Sequence, residues 1–167
     1  MATPAEASLP KRIALRLVRV VVIGVVVLAL LSLTQSVPKT LGLTNAKLAA
    51  CPDSPNCVSS AAEDARHAIA PFALDRSLGA TEEELKAAMA KLPRTKLCSQ
   101  GGTYLHFECR SLIFRFVDDV EFQCDEASKL IHFRSASRVG HSDLGVNRRR
   151  MEAVRASLPK SMQYKQP

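Results

Sequence analysis

The chain has 167 residues, room for one folded core, since single cores usually occupy roughly 100 to 200 residues. Its formal net charge is +7, with no Trp and only two Tyr, which argues against a base-stacking surface. The charge is also segregated. Residues 51–128 are net acidic and residues 129–167 strongly basic, so the two halves can neutralise each other within one fold, and no nucleic-acid partner is expected.

Residues 1–19 read as a basic tail, with Lys11, Arg12, Arg16 and Arg19 set against Glu6 alone. From Val20 to Pro38 there is no charged residue, and as a helix this stretch would rise roughly 28 Å, close to the hydrocarbon thickness of a bilayer. The sequence therefore predicts a transmembrane anchor over 20–38. The positive-inside rule keeps the basic tail in the cytoplasm and sends the remainder across, which implies a single-pass protein of a bacterial inner (cytoplasmic) membrane with its C-terminal domain in the periplasm. A cleaved signal fits less well, because Ser-Leu-Thr-Gln-Ser at 32–36 is a poor processing site. Leu48-Ala49-Ala50-Cys51 has the form that precedes a lipidated Cys, but Lys39 and Lys47 separate it from the apolar run.

Residues 39–50 read as a linker, 51–158 as the folded domain and 159–167 as a C-terminal tail. Cys51-Pro52-Asp53-Ser54-Pro55-Asn56-Cys57 is a turn-rich loop, and in an oxidising compartment Cys51 and Cys57 are expected to close it with a disulfide. Thr81-Glu82-Glu83-Glu84 has the capping-box form, starting a helix with Leu85, Met89 and Leu92 as its apolar stripe and Pro93 as its stop. Beyond the Gly101-Gly102 turn the period becomes two: Tyr104, His106 and Glu108 face one way, Leu105, Phe107 and Cys109 the other. Strands are predicted over 112–123 and 130–137, and a last helix capped by Asp143 with Met151, Val154 and Leu158 buried. The fold class is α+β: a small antiparallel sheet with two packing helices, preceded by one transmembrane helix.

Three carboxylates in Phe116-Val117-Asp118-Asp119-Val120-Glu121-Phe122 need compensation on a core strand. A hairpin closing at 125–128 would pair Cys124 with Lys129, setting Glu121 opposite His132, Asp119 opposite Arg134 and Asp118 opposite Ser135. Arg134, Arg138 and the run Asn147-Arg148-Arg149-Arg150 then stand within reach. Asp118, Asp119, Glu121, Arg134, Arg138, Asn147 and Arg148 are the candidate ligand-binding set, because guanidinium forks match anionic groups; the plainer alternative is a structural ion-pair network. No catalytic residue, metal ligand or cofactor is assigned, since no nucleophile motif or metal-ligand spacing is present.

Four segments, 51–60 (Cys-Pro-Asp-Ser-Pro-Asn-Cys-Val-Ser-Ser), 116–122, 134–140 (Arg-Ser-Ala-Ser-Arg-Val-Gly) and 142–148 (Ser-Asp-Leu-Gly-Val-Asn-Arg), together resemble the family known as domain of unknown function 1499, over roughly residues 51–158. The resemblance implies no established activity. The expected function is a non-enzymatic binding or assembly module in the cell envelope, held by the lipid bilayer and engaging an envelope protein or an anionic small ligand. The alternative is an envelope hydrolase or metal-dependent enzyme using Asp119, Glu121 and His132, with His106 and Glu108 nearby.

Overall fold

The computed structural model describes residues 11–33 and 35–163, in two units: one up to Thr34 and one from Gln35 onward. The first ten residues of the expected basic tail and the last four of the C-terminal tail lie outside the described residues.

In the first unit, helix α1 runs from Lys11 to Leu33. It starts nine residues before the uncharged stretch and ends before Pro38, so its uncharged part, 20–33, rises roughly 21 Å. The remaining length comes from Ile13, Leu15, Leu17 and Val18, which alternate with Arg16 and Arg19; such arginines can extend their heads to the headgroup level. The helix is long and apolar enough to cross a bilayer.

The second unit is built on a sheet of six strands: β1 (Cys57–Ser59), β2 (Phe72–Ala73), β3 (Thr95–Gly101), β4 (Tyr104–Arg110), β5 (Val117–Asp125) and β6 (Leu130–Ser137). The order is β1-β6-β5-β4-β3, antiparallel throughout, with β2 also paired to β6. Helices α2 (Leu78–Ala90) and α3 (Val146–Ser157) complete it.

Alternation sorts the two sheet faces, because successive side chains on a strand point to opposite sides. Leu105, Phe107 and Cys109 of β4, Val120, Phe122 and Cys124 of β5, and Ile131 and Phe133 of β6 join one buried cluster with Leu85 and Met89 of α2 and Met151 and Val154 of α3. Phe72, Phe122 and Phe133 stack inside it, the closest ring pair being Phe72–Phe133 at 4.6 Å. The predicted parity of β4 and β5 is therefore the observed one.

The register is not. Asp125 pairs with Leu130, and Cys124 with Ile131, so β5 and β6 meet two residues away from the expected alignment. The reason lies in the loop: the Asp125 carboxylate accepts the Ala127 and Ser128 N–H groups and the Ser128 hydroxyl. Lys129 then takes a left-handed conformation at φ 58°. A shift of two preserves which face each residue occupies but changes every partner. Helix α2 also begins earlier than the capping-box reading placed it. Ser77 is its N-cap, and Thr81 lies inside the helix, fully buried, its N–H bonded to the Ser77 carbonyl.

Strand β3 forms an edge of the sheet and is mostly exposed, with a bulge between Leu97 and Ser99. The Cys51–Cys57 disulfide is formed, a bond favoured in oxidising compartments. Cys109 and Cys124 are buried thiols and Cys98 is an exposed one.

Phe133→Ala is expected to cost about 3–5 kcal/mol, the usual range for emptying a fully buried aromatic site. Urea unfolding of the full chain in detergent, followed by circular dichroism, checks this; a loss under about 1 kcal/mol would contradict the packing around Phe133.

Candidate functional site

The sheet face away from α2 and α3 carries the other half of each strand, and there polarity and burial coincide. Asp119 and Glu121 are 1% and 0% exposed, and His106, Glu108 and Arg134 are also buried. Uncompensated, such carboxylates would be very costly. Arg138 compensates two of them. Its Nε and Nη2 donate to Asp119 at 2.8 and 2.7 Å, and Nη2 also reaches Glu108 at 2.5 Å. Glu108 takes a second donor from Arg110 at 2.8 Å, and His106 Nε2 donates to Asp119 at 2.8 Å. Glu121 accepts from Arg134 at 3.1 Å, the Tyr104 hydroxyl at 2.7 Å and the Gly42 N–H at 2.9 Å.

Burial alone would raise the carboxyls of Asp119 and Glu108. The hydrogen bonds outweigh it, Arg138 and His106 holding Asp119, and Arg138 and Arg110 holding Glu108, below the ordinary carboxylate range. Asp119 in turn raises the Arg138 guanidinium above its usual value. Burial, then the bond to Glu121, pushes the Tyr104 phenol up.

The segment after the apolar helix runs along this face. The Gln35 side chain accepts the Val117 N–H at 2.5 Å, at the start of β5. Gly42 meets Glu121 at its middle, and Asn45–Leu48 share a cleft with Gln123, Asp125 and His132 at its end. A tight turn at Asn45 and Ala46, both with positive φ, reverses the chain there; two such residues in succession match the two-residue hairpin turn.

The opposite face holds a second polar cluster at one corner. Ser135 donates to Asn147 Oδ1 at 2.6 Å, and Asn147 Nδ2 bonds the Asn56 carbonyl and the Ser137 hydroxyl. Arg150 bonds Asn147 Oδ1 and Asp118 Oδ2, each at 2.5 Å. The Asn56 amide reaches the Gly140 carbonyl at 2.6 Å, so the disulfide-closed loop is fastened to the connection between β6 and α3. Asp143 accepts the Asn147 and Gly145 N–H groups. It satisfies the start of α3 from two residues upstream of the N-cap, Gly145.

The seven residues singled out in the sequence thus do not form one site. Asp119, Glu121, Arg134 and Arg138 lie on the outer face; Asp118 and Asn147 lie on the helix face; Arg148 bonds the Ala68 and Arg66 carbonyls elsewhere. Glu121 stands opposite Arg134, and Asp119 opposite Ala136, replacing the expected pairings. His132 stands opposite Gln123 and bonds Ser60. Asp119, Glu121 and His132 therefore do not converge as a catalytic group would, and among the described residues no three His, Cys, Asp or Glu side chains are grouped to hold a metal.

Sequence reasoning put Arg150 within reach of the hairpin but left it out of the candidate set, and it is the partner of Asp118. The signal was present: Asn147, Met151 and Val154 are the buried residues of α3, and position 150 sits one turn from Asn147 on that side. Beside the Asp118–Arg150 pair a cleft of about 450 Å3 opens. Arg94, Arg110 and Arg149 line it together with Leu112 and Val146. Arg110 is paired with Glu108, whereas Arg94 and Arg149 donate to the Arg110 and Leu144 carbonyls, so open volume here meets guanidinium groups bonded to backbone rather than to carboxylates.

Arg138→Met is expected to destabilise the domain by about 3–5 kcal/mol at neutral pH, because two buried carboxylates lose their shared cation. In the native chain both carboxyls titrate below their unfolded range, so their contribution is present above about pH 4 and is lost as pH falls further. In the variant, Asp119 keeps only His106 and Glu108 only Arg110 against burial, so both carboxyls titrate higher than in the native chain and their protonation relieves the folded state. The stability gap should narrow as pH falls from about 7 toward about 4. Urea titrations across that range check it; a constant gap would show that Asp119 and Glu108 do not depend on Arg138.

No curated protein matches the chain. The model of one family, described as "Protein of unknown function (DUF1499)", matches residues 47–158, more than half of the sequence, and the chain belongs to that family.

Proposed function

We propose that the chain is a non-enzymatic binding or assembly module of the cell envelope, tethered by α1 to a bacterial inner membrane with its folded unit in the periplasm. One observation carries the binding reading. Asp118, Asp119 and Glu121 each have an arginine partner within the fold, while the arginine-lined cleft beside Asp118 is open. Carboxylates whose lone pairs are occupied by guanidinium groups serve as scaffold. Asp119, held below the ordinary carboxylate range by Arg138 and His106 against the effect of burial, is a poor proton shuttle. Arg94 and Arg149 at the cleft are exposed, and guanidinium groups so placed suit an anionic group on a partner.

Two features, α1 and the disulfide, support this location. Basic residues precede the apolar stretch, which keeps that end in the cytoplasm under the positive-inside rule. The Cys51–Cys57 bond fits the oxidising side.

Two measurements test this. A reporter active only outside the cytoplasm, fused at the C-terminus, should be active, whereas activity of a cytoplasm-only reporter there would overturn the orientation. A photo-crosslinking residue at Ser111, on the cleft, should trap a defined adduct in membranes, while one at Glu83 on the exposed side of α2 should not. The same adducts from both positions would remove the case for a binding cleft.

A further inference from the structure

The described part of the second unit exposes six large aliphatic side chains: Val37, Leu97, Leu112, Ile113, Leu144 and Val146. Four of them belong to one corner. Leu112 and Ile113 form the tip of the β4–β5 loop and are 69% and 77% exposed; Leu144, just before α3, is 84% exposed. Val146 lines the same cleft as Leu112. Scattered exposed aliphatics are ordinary, but their concentration at one place is not.

The loop that carries them is fastened in place. Ser111 N–H donates to the Phe116 carbonyl at 2.8 Å, and the Phe116 N–H returns to Ser111 Oγ at 2.9 Å. Phe114 packs against Phe116, rings 5.8 Å apart. The backbone thus closes the loop at its base and leaves Leu112 and Ile113 outside the core.

Cations surround this tip. Arg115 lies on the loop itself, and Arg94 and Arg149 flank it across the cleft, all three exposed. Among the carboxylates around it, Asp118 is held by Arg150 and Glu108 by Arg110 and Arg138, while Asp143, next to Leu144, accepts the Gly145 and Asn147 N–H groups at the start of α3. Projecting aliphatic tips ringed by arginines are what an anionic lipid surface recognises: the tips enter the headgroup boundary and the guanidinium groups meet phosphates.

The sequence supplies the surface. Gln35 holds the loop through the Arg115 carbonyl, at 3.4 Å, and the Val117 N–H, and only Thr34 separates Gln35 from the last residue of α1. The residue that holds the loop thus follows, two positions along the sequence, a helix long and apolar enough to cross a bilayer.

We infer that the β4–β5 loop, with Leu144, is a lipid-docking element: Leu112, Ile113 and Leu144 enter the headgroup boundary of an anionic bilayer, and Arg94, Arg115 and Arg149 bind its phosphates. This inference rests on the cleft being the ligand-facing surface proposed above, and it names the lipid headgroup as what that surface meets.

The test uses the full chain in nanodiscs, with Cys98→Ser to remove the exposed thiol and Ile113→Cys carrying an environment-sensitive fluorophore. In discs of phosphatidylcholine with phosphatidylglycerol, the label should shift to the blue and be quenched by lipids bearing a spin label near the headgroup. In phosphatidylcholine alone, or at high salt, both effects should fall. Arg94→Glu with Arg149→Glu should cut the docked-to-free ratio about tenfold or more, read below the variant's own melting transition because these guanidinium groups also donate to the Arg110 and Leu144 carbonyls. Inorganic phosphate added to the chain in zwitterionic micelles should leave the label unchanged, since a free anion gives the tips nothing to enter. A label that stays solvent-exposed and unquenched in phosphatidylglycerol discs overturns the docking inference. If Ser111 still traps a defined protein adduct in that case, the binding-module reading stands alone; if it traps none, both fall.

Discussion

Arg138 holds together two strands that could not otherwise carry their own side chains. Asp119 and Glu108 are neighbours across β5 and β4, both buried, and one guanidinium fork reaches both. A fork can do this because its donors diverge within a plane, whereas an ammonium would concentrate its charge at one point. Burying such a cluster gives uncertain net stability, but breaking it is expensive. Its effect is therefore selective: it specifies which strands meet and in which register. The face it lines also needs a cover, which the segment from Gln35 to Ala50 supplies through contacts at the start, middle and end of β5.

The four sequence segments that resemble the family meet in these polar clusters. The Cys51–Cys57 loop supplies Asn56, the acidic strand supplies Asp118, Asp119 and Glu121, β6 and the turn after it supply Arg134, Ser135 and Arg138, and the start of α3 supplies Asn147. Asn147 alone ties three of them, accepting from Ser135 and donating to Asn56 and Ser137. A fully satisfied polar cluster of this kind rigidifies a corner and favours one packing arrangement. The family signature in this chain is thus largely a description of how its parts are fastened, and the open cleft lies at the margin of that description.

Much of the fold was legible because period and parity are local properties. Tyr104 to Arg110 alternates cleanly, and the buried stripe of α3 follows from the spacing of Met151, Val154 and Leu158. What escaped depended on distant or subtle contacts. The β5–β6 register turned on the side chain of Asp125 and the left-handed Lys129, a local choice with no hydrophobic signature. Strand β3, Thr-Lys-Leu-Cys-Ser-Gln-Gly, lies at an edge with one side in water and so lacks the alternation that announces a strand. Strands β1 and β2 are too short to show a period and exist because β6 offers them a partner. The candidate site was legible as a set of charges but not as a pairing, since the shifted register gave Asp119 and Glu121 new neighbours on β6 and Asp118 took Arg150 rather than Arg148.

The two margins of the sheet are closed by different means. On one side β1 and β2 are fragments of three and two residues; on the other, β3 carries Lys96 and a bulge at Cys98. Neither offers a long flat row of free backbone groups to a neighbouring copy. If α1 holds the domain to a membrane, as proposed, this matters more than in solution, because molecules confined to a plane meet far more often than the same number free in a volume. The broken margins would then let the protein be crowded in two dimensions without its sheets joining end to end.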